Sequence, residues 1–153
     1  MKTVLIIVLL LVLAMVGAMF WAGSKSRSEA PTLGASNDQF VPCPDTPNCL
    51  SSDATDDAHR FAALALAADA SWASIVAEVK QLPGVTVVEE SAGYVRAEAK
   101  SSIFGFIDDL EVQQRGNQLA VRSASRVGKS DMGANLKRLT ELESRLKAAG
   151  IVN

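Results

Sequence analysis

The hydrophobic pattern of the chain changes character several times, and each change marks an element. From Thr3 to Ala22 there is no polar period: the run TVLIIVLLLVLAMVGAMFWA carries no charge. At about 1.5 Å per residue it covers roughly the 30 Å of a bilayer core, which predicts a membrane-spanning helix. A polar stretch with Ser, Pro and Gly follows to Gln39 and reads as a flexible tether. Phe61 to Ala68 is apolar and alanine-rich, a short strand or an irregular packed segment. Trp72, Ile75, Val76 and Val79 then fall on one helical stripe. Asp69 or Ser71 is the expected cap, and Pro83-Gly84 the stop.

Beyond that helix the period drops to two. Val85–Glu90 and Tyr94–Lys100 read as strands joined at Ser91-Ala92-Gly93. Ile103–Gln114 and Leu119–Val127 read as a second pair joined at Arg115-Gly116-Asn117-Gln118. A two-residue turn at Gly116-Asn117 sets a definite register. Val112 then faces Val121, Leu110 faces Ser123, and Asp108 faces Ser125. On the other face Glu111 meets Arg122, and Asp109 lies diagonal to Arg122 and Arg126. Ser130 or Asp131 caps a last helix, from about Met132 to Ala149, with Leu136, Leu139, Leu142 and Leu146 as its apolar stripe and Gly150 closing it. The predicted class is α+β: an N-terminal transmembrane helix, then one small domain with a roughly four-stranded antiparallel sheet and two helices, both on one face. The divisions expected are an anchor at 1–23, a tether at 24–39 and a domain at 40–150.

Composition refines the address. The 48% hydrophobic share is inflated by the first segment. Length favours an uncleaved anchor, although Ala22-Gly23-Ser24 also offers a signal-peptidase site. Lys2 on one side and Lys25 with Arg27 on the other leave the positive-inside count close to a tie. Cys43 and Cys49 are the only cysteines, with five residues between them in a proline-rich loop. That spacing suits a disulfide, and fits neither a C-x-x-C redox motif nor a complete zinc site. A disulfide places the domain outside the cytoplasm, so a single pass through a bacterial inner membrane into the periplasm is expected. Beyond Gly23 there are 14 basic against 17 acidic residues, a net of −3. A nucleic-acid binder would show the opposite excess.

Candidate chemistry gathers between Val121 and Arg138. There a strand turns into a helix across Arg122, Ser123, Ser125, Arg126, Lys129, Ser130, Asp131, Asn135 and Arg138. Ser123 to Ser130 nearly matches a phosphate-binding loop, but Ser123 stands where the first glycine belongs and the segment reads as strand. Two readings stay open. Backbone N–H groups at the helix start, with Arg126, Lys129 or Arg138, face a small polar or anionic ligand. Otherwise Asp131 satisfies those donors, and the arginines pair with Asp109 and Glu111. The cluster Asp108, Asp109 and Glu111 is the place for a metal or acid–base chemistry, and ion pairing is its simpler explanation. His59, the only histidine, cannot build a metal site alone. The acidic run Ser51, Ser52, Asp53, Asp56, Asp57 reads as a solvated loop.

Three stretches taken together resemble one family. They are Cys43-Pro-Asp-Thr-Pro-Asn-Cys49-Leu-Ser-Ser52, Phe104-Gly-Phe-Ile-Asp-Asp109-Leu-Glu111, and Val121-Arg-Ser-Ala-Ser-Arg126-Val-Gly128-Lys-Ser-Asp131-Met-Gly133-Ala-Asn135. They resemble family 1499 of the domains of unknown function, over about residues 40 to 148. The resemblance implies an envelope or organelle-lumen protein of bacteria or plastids. It supplies no chemistry and implies no cofactor. The leading expectation is therefore a non-enzymatic, membrane-anchored module that binds a small polar ligand or an envelope protein. An enzyme using Asp108, Asp109 and Glu111, and a purely structural envelope protein, are the alternatives.

Overall fold

The computed structural model describes residues 1–34 and 38–153. Residues 35–37 of the expected tether lie outside the described part. Helix α1 (Lys2–Ser28) is long and apolar enough to cross a membrane, and none of its apolar window is buried against the protein. It does not stop at Gly23. The helix continues for another turn, and Ser26 is buried against the domain.

Strand β1 (Cys49–Ser51), strand β2 (Leu64–Ala65) and helix α2 (Trp72–Lys80) come next. They are followed by β3 (Val85–Ser91), β4 (Tyr94–Lys100), β5 (Ile107–Arg115), β6 (Gln118–Ser125) and α3 (Ala134–Ala148). All pair antiparallel in the order β1-β6-β5-β4-β3, with β2 also on β6. The fold is α+β, with six strands where the sequence pattern predicts about four. The two extra strands have three and two residues, too few for a period to show. Their effect is to close an edge. Strand β1 pairs residues 122–124 and β2 pairs 118–119, so together they cover what would be the open side of β6.

Ser71 caps α2 by accepting from the Ser74 N–H at 3.1 Å. Its stripe lands as expected, with Ile75, Val76 and Val79 buried. Gly84 after it has a φ of +70°, and a Cβ there would sit 2.8 Å from the Lys100 carbonyl oxygen. Only glycine lets the chain turn so close to β4. The β5–β6 hairpin has the two-residue turn Gly116-Asn117, and Asp108, Leu110, Glu111 and Val112 oppose Ser125, Ser123, Arg122 and Val121 as predicted. A bulge at Val88 shifts the β3–β4 register.

The strand expected from Ile103 begins only at Ile107. Residues 101–106 form a compact loop instead, in which the Ser101 hydroxyl accepts from the Phe106 N–H at 2.9 Å and Gly105 takes a φ of +68°. Likewise β6 ends at Ser125 rather than Val127, and α3 starts at Ala134 rather than Met132. Leu136 is a correction too: it is exposed, and the buried stripe of α3 is Asn135, Leu139, Leu142 and Leu146.

Both helices pack on one face of the sheet. Ile75, Val79, Leu139, Leu142 and Leu146 meet Val95, Ala97, Leu110, Val112, Leu119 and Val121 in one apolar core. The C-terminal Ile151 and Val152 join it, held by a bridge between Val152 and Leu66. The opposite face is polar, and Ser26, residues 31–34 and residues 41–44 of the disulfide-bonded loop lie over part of it.

Cys43 and Cys49 are disulfide-bonded, and Cys49 is the first residue of β1. Closing so short a loop contributes about 2–3 kcal/mol on the chain-entropy model. Replacing both cysteines by serine should therefore lower the unfolding free energy of the full chain by about that amount. Urea titration followed by circular dichroism measures it, and an unchanged midpoint would show that the loop is held by its other contacts.

Candidate functional site

The polar corner read from the sequence is not one site. Side chains alternate across a strand, so β6 sends Ser123 and Ser125 to the helix side and Arg122 to the other, where Arg126, the residue after the strand, joins it. Strand β5 divides Asp108 from Asp109 and Glu111 in the same way. The sheet itself separates two polar clusters.

On the helix side the cluster is complete. The Ser123 hydroxyl donates to Asn135 Oδ1 at 2.7 Å, and Arg138 Nη1 donates to both of those oxygens at 2.8 and 2.6 Å. Arg138 Nη2 reaches Asp108 at 2.7 Å. The Asn135 amide donates to the Asn48 carbonyl at 2.9 Å and to the Ser125 hydroxyl at 3.1 Å. Asn48 in turn donates to the Gly128 carbonyl at 2.9 Å. Asn135 is 1% exposed, and every polar atom of its side chain is bonded. It joins the proline-rich loop, β6, the 126–133 turn and α3. This explains why an asparagine stands in the apolar stripe of α3, where the leucine period alone places Leu136.

The start of α3 is likewise engaged. Asp131 accepts from the Gly133 N–H at 3.1 Å and the Asn135 N–H at 2.8 Å. Partial burial pushes the Asp131 carboxyl up, but those donors outweigh it and hold it below the usual carboxylate range. Gly133 at the helix start makes no side-chain cap, and the Ser130 hydroxyl accepts only from the Met132 N–H. Lys129 and Ser130 are exposed on the turn, away from either cluster's bonds.

On the other face, one row of side chains alternates in charge across four strands. Glu89, Arg96, Glu111 and Arg122 are successive cross-strand neighbours on β3, β4, β5 and β6. One row along, Glu98 lies directly opposite Asp109, a repulsive pairing by itself. Arg126 resolves it. Its Nε and Nη2 make a two-pronged contact with Asp109 at 2.8 and 2.7 Å, Nη2 also meets Glu98, and Nη1 reaches the Ser26 carbonyl. Both side chains of the Arg126–Asp109 pair are 2% exposed. The bonds from Asp109 and Glu98 outweigh burial and hold the Arg126 proton more tightly than usual.

Arg122 is served less fully. Its Nη1 donates to Glu111 at 3.1 Å, and its Nε is buried without a partner among the described residues. Glu111 is fully buried and has other partners: the Tyr94 hydroxyl at 2.9 Å and the Gly34 N–H at 3.1 Å. Burial, then the Glu111 charge, pushes the Tyr94 phenol far up, so it stays a donor. Beside these pairs lies a cleft of about 300 Å³. Arg122, Arg126 and Asp109 line it together with Pro31, Leu33, Val41, Pro42 and the disulfide-bonded Cys43. The volume is at the lower end for small-molecule sites.

Asp108, Asp109 and Glu111 thus share no common centre. Among the described residues no group of three or more His, Cys, Asp or Glu side chains is placed to hold a metal ion. The acidic run is built in rather than solvated throughout: Asp53 takes two bonds from Arg115, at 2.6 and 3.0 Å, and one from the Phe40 N–H at 2.7 Å. His59 braces the same loop. Its Nδ1 lies 2.8 Å from Asp56 and its Nε2 lies 3.2 Å from the Thr46 carbonyl. Only the imidazolium donates to both, and the Asp56 bond raises its pKa above the ordinary value.

Residues 39–146 match the family model described as a protein of unknown function, DUF1499. The chain belongs to this family. No curated protein and no solved structure matches it.

The helix-side cluster predicts a stability phenotype. Asn135→Ala should cost about 2–4 kcal/mol, because the Asn48 carbonyl and the Ser123 and Ser125 hydroxyls lose a buried partner. Urea unfolding of the full chain checks it. A loss under about 0.5 kcal/mol would mean that water replaces the amide and the cluster is not closed.

Proposed function

We propose that the protein is a single-pass, membrane-anchored module of the bacterial envelope, its domain facing the periplasm, and that it binds a small polar or anionic molecule in the cleft beside Arg122. The observation that carries this reading is the state of that guanidinium. It is 5% exposed, lines a cleft, and uses one nitrogen on Glu111 while its Nε has no partner among the described residues. Natural structures seldom leave a buried donor on a charged group unpaired. A carboxylate or phosphate suits a guanidinium fork best, because it accepts parallel N–H bonds. The apolar wall of Pro31, Leu33, Val41 and Pro42 favours a ligand with a small hydrocarbon part. The disulfide supports an extracytoplasmic domain, and the apolar α1 supports the anchor.

The proposed site thus lies on the face of the sheet opposite the helix start. The proposed role is also non-enzymatic: the carboxylates near the cleft are committed to arginines. A purely structural role accounts for the closed helix-side cluster but leaves the Arg122 cleft without a reason.

Native mass spectrometry of the full chain, isolated from membranes in mild detergent, tests the proposal beside Arg122→Lys. Lysine keeps a charge for Glu111 and loses the fork. The expected result is a small bound species on the wild type, at least about tenfold weaker on the variant, as loss of a charge-assisted pair implies. Equal occupancy in both, or bare protein in both even with millimolar phosphate or propionate added, would overturn it.

A further inference from the structure

Four contacts tie the end of α1 to the loop of residues 101–106 and the first residue of β5. The Phe20 and Phe104 rings meet edge to face with centroids 5.2 Å apart. At Gly23 the loop comes so close that a Cβ would run into the Phe104 carbonyl oxygen. The Ser26 hydroxyl, fully buried, donates to the Ile107 carbonyl at 3.0 Å and accepts from the Ile107 N–H at 2.8 Å. Arg27 Nη1 donates to the carbonyls of Gly105 and Phe104 at 3.0 and 3.3 Å. The helix therefore enters the domain docked along its last two turns.

Depth follows from the sequence of α1. The uncharged run ends at Ala22, so Phe20 lies within the apolar segment, at the level where a span meets the headgroups. Phe104 packs on Phe20 and must lie at the same level. Its neighbour Ile103 is 72% exposed, one of the few large apolar side chains of the domain left open. Trp21 is exposed beside them. Above this apolar collar stand Lys25, Arg27 and Lys100, with Lys100 Cε and Arg27 Nη1 both close against Gly105. Apolar side chains below and cations above match the layering of an anionic lipid surface.

We infer that the loop Ser101–Phe106 is a second membrane contact, with Ile103 and Phe104 seated at the acyl–headgroup boundary of the bilayer that holds α1. The partner is that lipid surface. The inference rests on the anchor reading of α1. It makes the loop's early departure from strand geometry intelligible: turning out of the sheet at Ser101 carries an isoleucine and a phenylalanine to the membrane.

Spin labels on the full chain in vesicles of phosphatidylcholine and phosphatidylglycerol test it. Labels are attached through Ile103→Cys, Val12→Cys and Thr140→Cys, one at a time with the native disulfide intact. Each is read by its collision rates with oxygen, which partitions into lipid, and with a water-soluble nickel chelate. All three positions are exposed, so the labels leave the fold undisturbed. The expected oxygen-to-nickel ratio is several-fold higher at 103 than at 140, and highest at 12. A label at 103 as open to nickel as that at 140, with 12 embedded in lipid, would refute the loop contact and leave the anchor standing. A label at 12 open to nickel would refute the anchor reading and this inference with it.

Discussion

The ion pairs between β5 and β6 are the constraint on which the other parts of the molecule hang. A two-residue turn at Gly116-Asn117 sets the register, and the register places Asp109 and Glu111 within reach of Arg126 and Arg122 on one face. Those four side chains are 0–6% exposed. Buried charge is tolerated only when it is paired and hydrogen-bonded. The polar face therefore needs its cover, and Ser26, Gly34 and the disulfide-bonded loop provide it. One face of the sheet is an ordinary apolar core under two helices, and the other is a lattice of alternating charge.

Much of this is legible in the order of residues alone. Hairpin register follows from turn length, so the opposition of Glu111 to Arg122 and the diagonal between Asp109 and Arg126 are readable in sequence. The α2 stripe is readable from its 3.6-residue period. Illegible parts have physical reasons. Strand β1 owes its existence to the free edge of β6, a tertiary demand that leaves no period in so few residues. Strand β2 falls inside Phe61–Ala68, which reads in sequence as a short strand or an irregular packed segment. Asn135 replaces Leu136 in the buried stripe because satisfying Asn48, Ser123 and Ser125 outweighs one more leucine contact. Residues 103–106 have strand-forming side chains, yet Gly105 at positive φ and the end of α1 hold them in a loop.

The candidate site shows the same division. All the residues singled out between Val121 and Arg138 are chemically conspicuous, but proximity in sequence at a strand corner does not mean proximity in space. Alternation sends Ser123, Ser125 and Asp108 to a closed structural cluster and Arg122, Arg126, Asp109 and Glu111 to the charged face. Pro31 and Leu33 in the polar tether, and Val41 just after it, wall the cleft and carry no signal of their own. The proposed function accordingly rests on Arg122 and its neighbours rather than on the helix start.

Whether the charged face is a paired interior can be decided by a double-mutant cycle. Unfolding free energies of the full chain are measured for the wild type, Asp109→Leu, Arg126→Met and the double variant. Arg126→Met alone is expected to cost about 3–5 kcal/mol, by stranding a buried carboxylate, and the double variant to recover most of that loss. Additive effects, or an Arg126→Met change within about 0.5 kcal/mol of zero, would mean instead that the pair is solvated and the face is open.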